Sequence, residues 1–323
     1  MEKAAAAQGA PVRSREKENG FIRTVKAYGR HYQLVLMFLP AVITIVLFSY
    51  APMYGLTIAF KDYALLEGIH GSPWVGFANF QKLLTAPSFA EVFRNTVTIS
   101  FLRILFGFPA PVLLALLLNE VGNVRFKKMV QTISYLPHFL SWVVLAGILI
   151  QILSPSSGIV NQIIVLFGGT PIYFVADPRC FVPMLIVTGI WKEVGWGTIV
   201  YLAAITSISP ELYEAATIDG AGRFQKMLHI TLPAIRPVVS IMFILNSGNL
   251  INAGFDQIYN LYNPAVYKVA DILDTYVYRR GLIDMKYSFS AAAGLFKNVI
   301  SFALVLTTNG LVKVISGKEN GIW

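Results

Sequence analysis

Two groups of residues in this sequence have types and spacings that imply chemistry. The first is polar yet lies within strongly apolar stretches: Arg103, Trp191 with Lys192, Trp196, then Asn246, Asn249, Asn252 and Asp256, and finally Lys297. Polar groups are costly in such surroundings, so they face a wet cavity or one another. The spacing of Asn246, Asn249 and Asp256, with Asn252 alongside, predicts an amide-rich helical face. Amides donate and accept hydrogen bonds, as sugar hydroxyls require; the alternative is that this face bonds between helices. The rings of Trp191 and Trp196 suit stacking on pyranose faces. Lys192, Arg103 and Lys297 suit carboxylates, although Glu193 is a local alternative for Lys192, and Arg103 and Lys297 have snorkelling or a second subunit as alternatives. Three cations against one embedded acid favour an anionic solute.

The second group is Glu214, Ala215, Ala216, Asp219, Gly220, Ala221, Phe224 and Pro233, within a polar segment at about 209–235. Ser209 reads as an N-cap, Pro210 as the first helical residue and Glu211 as an acid at the positive end of the dipole, so a short helix is expected to reach about Asp219 and end at Gly220. A second short helix through Phe224–Leu228 is expected to stop near Leu232-Pro233, because proline cannot donate the next backbone bond. Ala215, Ala216, Gly220 and Ala221 permit close backbone approach, and Glu214 suits a basic surface. The segment reads as a docking knob, not as a catalytic element.

The elements that position these residues are predicted to be membrane helices. The chain is 55% hydrophobic and 13% charged, against about 25% charged for a soluble domain. Runs of about 20 predominantly apolar residues fall near 33–59, 94–119, 130–153, 182–208, 236–256 and 288–315, which predicts an all-α integral membrane protein with six spans. Arg13, Arg15, Lys17, Arg23, Lys26 and Arg30 before the first span, and Arg125, Lys127 and Lys128 after the second, place both termini and the 209–235 knob in the cytoplasm. Residues 1–31 form a basic tail without an apolar signal core, expected to be disordered at its start, and 32–323 form the membrane domain.

The net charge of +9 lies mostly in these cytoplasmic flanks, so it reads as topology and not as a nucleic-acid footprint. His31, His70, His138 and His229 have no metal-ligand spacing, and Cys180 stands alone. Gly317-Lys318 is followed by Glu319 and lacks the spacing of a phosphate loop. Asp271 and Asp274 read as a solvated helix face.

The pattern Glu214-Ala215-Ala216, Gly220-Ala221 and Ile230-Thr231-Leu232-Pro233 resembles the EAA loop of ABC importer permeases. Trp74-Val75-Gly76-Phe77-Ala78-Asn79-Phe80 is similar to an element of carbohydrate-importer permeases. Residues 259–264 and 274–279 look like the branch named after lipoprotein-associated polysaccharide permeases. The resemblance implies a type I, MetI-like importer core in a bacterial inner membrane. It further implies a second homologous permease, an ATPase dimer that holds ATP and Mg and grips the Glu214 loop, and an extracytoplasmic solute-binding protein. The chain itself would carry no cofactor. An oligosaccharide, acidic and alginate-like, is the expected cargo; neutral oligosaccharides and peptides are alternatives. From other classes, an ion-coupled secondary transporter would show repeats of broken helices, and a membrane-bound polysaccharide enzyme would show clustered acids or a nucleotide motif.

Overall fold

The structure, a computed structural model, describes residues 32–248 and 250–316, so the expected basic tail and Asn249 lie outside the described residues. The chain divides into two units, residues 1–55 and 56–323. Among the described residues the regular elements are helical, apart from one isolated bridge between Lys61 and Trp74.

The main helices are α1 (Tyr32–Phe60), α2 (Phe89–Glu120), α3 (Val124–Phe139), α4 (Trp142–Ile152), α5 (Pro178–Thr206), α6 (Pro210–Ile218), α7 (Arg223–Gly248), α8 (Phe255–Leu261) and α9 (Tyr287–Ser316). By length and composition α1, α2, α7 and α9 can each cross a membrane, and α3 with α4 makes a fifth crossing if the bent pair is one span. α5 is 29 residues long but less apolar, with Lys192, Glu193 and several glycines near its centre.

Two spans read from hydropathy are not single helices. The stretch at 130–153 is broken by a 108° bend between α3 and α4. Pro137 sits there in a tight turn over Leu136–Phe139, Leu140 is extended, and the hydroxyl of Ser141 caps α4 by accepting from the Val144 N–H. The stretch at 236–256 is one α-helix only as far as Gly248, with a short tighter turn at Leu250–Asn252 and a new helix from Phe255. Ala253 and Gly254 then both have positive φ, 40° and 81°, a conformation that no right-handed helix contains.

Prolines elsewhere do not end helices. Wider π turns occur at Val46–Tyr50, Arg103–Gly107 and Met227–Thr231, each two residues ahead of Pro52, Pro109 or Pro233. A wider turn relieves the clash between the ring and the preceding carbonyls, so the helix re-registers and continues. This corrects the expectation that Pro233 stops a short second helix: α7 runs unbroken from the knob at Arg223 to Gly248.

α5 is the central post of the second unit. Val112, Leu116 and Leu118 of α2 pack with Tyr201, Leu202 and Ile205 of α5 and Ile235 of α7. Towards its other end, Phe181, Met184 and Leu185 pack with Leu149 of α4 and Ile258 and Leu261 of α8. Contact is close enough that a Cβ on Gly195 would lie 2.1 Å from the Ser134 carbonyl oxygen, and one on Gly197 2.9 Å from Pro111. Large apolar side chains such as Phe101 and Leu117 of α2 and Val299 and Phe302 of α9 face outward, as lipid contact requires.

Candidate functional site

Against α5 lies a cavity of about 790 Å³ lined by Arg103, Glu193, Trp196, Asn246, Asn252 and Asp256 among others. Five residues singled out from the sequence thus meet in one place. They do so without a common helix: Asn246 belongs to α7, Asn252 to the break and Asp256 to α8. The expected amide-rich helical face is therefore replaced by a polar rim folded around a helix break. Trp191 is 46% exposed and lies outside this lining.

Lys192 is buried, and its ammonium donates to the carbonyls of His138 at 2.7 Å, Leu140 at 2.8 Å and Pro137 at 3.3 Å. The carbonyls lie at the bend between α3 and α4, where helical partners run out; that of Pro137 also accepts from the Leu140 N–H at 3.2 Å. The cation thus holds the bend, with Glu193 further off at 3.8 Å. Glu193 instead meets His138 Nδ1 at 2.8 Å, and the His138 ring stacks on Trp196 with centroids 4.6 Å apart. One tie through Lys192 thereby orients the aromatic wall of the cavity.

Arg103 starts the π turn of α2 and hydrogen-bonds through its guanidinium to Oε1 of Gln257. Gln257 is fully buried and donates onward to the Leu185 carbonyl at 3.0 Å and to Thr188 Oγ1 at 2.8 Å. The guanidinium rests against Gly254, where any Cβ would overlap it at 2.4 Å. Arg103 Nε is buried without a hydrogen-bond partner. Sequence reasoning missed Gln257, since a glutamine in a polar stretch carries no signal of burial; Gly254 beside Asn252 was a readable break signal.

A second cavity of about 790 Å³ shares Asn252, Gly254 and Asp256 with the first and adds Trp142, Phe255, Asp274, Tyr278 and Lys297. Lys297 pairs with Asp274 at 2.5 Å, and Asp271, buried, pairs with Arg279 at 2.5 Å and accepts from Thr275 Oγ1 at 2.7 Å. Neither aspartate forms the solvated face expected of it. With Lys297 matched by Asp274 and Glu193 added to the first cavity, the excess of cations read from the sequence is smaller than expected. Burial opposes the charge of Arg279, but the hydrogen bond and charge of Asp271 outweigh it and raise its pKa.

At the other end of α7 the knob is built as an exposed bracket. Ser209 makes no side-chain cap, contrary to expectation, while Pro210 does begin α6. Gly220 at φ 80° closes α6: the Ala221 N–H reaches the Ala216 carbonyl at 2.8 Å and the Gly220 N–H reaches Thr217 at 3.1 Å, a Schellman ending. Lys226 Nζ donates to Thr217 Oγ1 at 3.0 Å, and Tyr213 and Thr231 share a hydroxyl bond of 2.9 Å, so α6 is braced onto α7. Glu214, Ala215, Asp219 and Gly220 are exposed, Ala216 and Ala221 half-buried, and Phe224 is exposed too.

Residues 107–318 match the family described as binding-protein-dependent transport system inner membrane component. The chain belongs to that family. The permease is 47% identical over 290 residues to the polygalacturonan/rhamnogalacturonan transport system permease protein YteP of Bacillus subtilis (strain 168), covering 90% of each chain. It is 42% identical to Protein LplB of the same organism, over 97% of this chain and 98% of that one. Among solved structures it resembles a chain of a bacterial ABC transporter involved in the import of the acidic polysaccharide alginate, at 43% identity and a TM-score of 0.85, covering 91% of this chain and 99% of that one. The permease is thus an all-α, multi-pass inner-membrane transport subunit of an ABC importer.

Proposed function

We propose that this permease moves acidic oligosaccharides across the inner membrane by alternating access. The observation that carries the reading is that one uninterrupted helix, α7, joins the docking knob to Asn246 in the cavity wall. At 26 residues and about 1.5 Å per residue, it is a rigid strut about 40 Å long. In this reading an ATPase dimer carrying ATP and Mg grips Glu214, Ala215, Ala216, Asp219, Gly220, Ala221 and Phe224. Its closure on ATP binding pushes α7, which shifts the break at 250–254 between two arrangements. Hydrolysis resets it.

Six spans follow if the α3–α4 pair counts as one and α5 as another, which returns both termini to the cytoplasm. A second homologous permease would complete the core, and a solute-binding protein would deliver the sugar; a solved relative is a bacterial alginate transporter in complex with an alginate pentasaccharide-bound periplasmic protein. Acidic cargo is supported by the cation of Arg103 in the cavity wall, and by two similar proteins above 40% identity, one described as transporting polygalacturonan/rhamnogalacturonan and the other as importing the acidic polysaccharide alginate. Trp196, Asn246, Asn252 and Asp256 would meet hydroxyls and ring faces, whereas Lys192 acts by positioning. The test is ATPase activity of the purified complex in liposomes, with its binding protein, across neutral and uronate-containing oligosaccharides. Stimulation by the acidic set is expected. Stimulation by neutral sugars alone would overturn the acidic assignment, and no response to any sugar would overturn the oligosaccharide reading.

A further inference from the structure

α8 has two unlike faces. Gln257, Ile258 and Leu261 are buried, while half-buried Phe255 and exposed Tyr259, one turn apart, lie on the more open side; Tyr262, just past the helix in extended backbone, packs partly against the core. The rings form a contiguous row: Phe255 stacks on Tyr259 with centroids 5.3 Å apart, and Tyr262 lies tilted 6.1 Å from Tyr259. Tyr278, from the neighbouring helix Leu273–Tyr278, closes on Tyr259 at 4.9 Å and on Phe255 at 5.8 Å, with the two tyrosine hydroxyls 3.3 Å apart. Tyr267 extends the row beyond Tyr262 at 4.9 Å.

An aromatic ring brings a large apolar face that folding normally buries, yet Tyr259 remains 38% exposed. A lipid-facing girdle is the ordinary alternative for such rings. The inner end of the row argues against it: Phe255 and Tyr278 line the second cavity together with Asn252, Asp256, Asp274 and Lys297, groups that lipid does not tolerate. A surface of ring faces with phenol hydroxyls at its edges and a polar cavity at one end matches a pyranose chain, whose C–H faces are apolar and whose rims are hydroxylated.

We propose that the open face of α8 is a stacking rail for successive rings of an incoming oligosaccharide, a binding site separate from the cavity at Arg103 and leading to it through Asn252 and Asp256. The proposal rests on the oligosaccharide reading given above. Because the rail extends outward from the cavity, it contacts only the sugars of a longer chain that remain outside once its leading end is in place.

The test uses the complete importer complex in liposomes with its binding protein, with oligogalacturonates of two and of five sugars as probes. Tyr259→Ala should raise the half-saturating concentration for the five-sugar probe about tenfold, as loss of one aromatic anchor implies, and that for the two-sugar probe less than about twofold; Tyr259→Phe should restore most of the loss. Equal shifts for both lengths, or no shift for the longer probe, would overturn the rail while leaving the importer reading intact. If the native complex responds to neither probe nor to any other sugar, the oligosaccharide reading falls and the rail with it. Should the alanine variant fail to assemble, Tyr259→Trp supplies a fluorescent reporter: a spectral shift on adding the five-sugar probe is expected, and its absence would overturn the proposal.

Discussion

Replacing Lys192 with methionine keeps an unbranched side chain, one atom shorter, and removes the charge and its donors. The ammonium serves three carbonyls, two of them within 2.8 Å, and bonds to a charged donor contribute about 1.5–3 kcal/mol each. Part of that is offset, because the native residue is only 6% exposed and the desolvation of its charge is relieved on removal. The carbonyls left around an apolar terminus cannot all reach water, so a net destabilisation of about 2–5 kcal/mol is expected. The bend between α3 and α4 would loosen, and with it His138 and the ring it lays on Trp196. Lys192→Met should therefore lower the thermal midpoint of the purified complex and reduce transport of acidic and neutral sugars alike. An unchanged midpoint with selective loss of acidic sugar transport would refute this reasoning and make Lys192 a direct carboxylate contact.

Three further outcomes are expected. Gly195→Ala forces a Cβ to within 2.1 Å of the Ser134 backbone, neither side of which can retreat; overpacking of this kind costs about 1–3 kcal/mol, seen as a lowered thermal midpoint or poor assembly, and a native midpoint would show that α3 and α5 are further apart. Glu214→Ala or Gly220→Trp should uncouple ATP hydrolysis from uptake while the helices stay inserted, and normal transport with both would count heavily against docking at the knob. Arg103→Met should raise the half-saturating concentration for a uronate oligosaccharide about tenfold more than for a neutral one, given about 1.4 kcal/mol per tenfold; equal shifts would remove Arg103 from carboxylate recognition.

Much of the knob was legible because its signals are short-range. Gly220 ends α6 through bonds that span at most five residues, and Pro210 opens it, so identity and spacing suffice. At Pro233 the missing donor is a local fact, but the wider turn at Met227–Thr231 that lets the helix continue carries no signal in residue type. Asn246, Asn252 and Asp256 were correctly singled out as polar residues in apolar sequence, yet the geometry joining them was wrong, since periodicity assumes the helix that Ala253 and Gly254 interrupt.

The class of the molecule, its apolar helices and the helical bracket around Gly220 were readable from the residues alone, because they follow from composition and from contacts a few residues apart. Which polar groups face the cavities depends on long-range packing. Lys192 meets carbonyls 52 to 55 residues away, Arg103 meets Gln257 across 154, and Lys297 meets Asp274 across 23. A buried charge takes whichever partner the packed helices bring within reach, and that choice is made by the whole fold, not by neighbours in the chain.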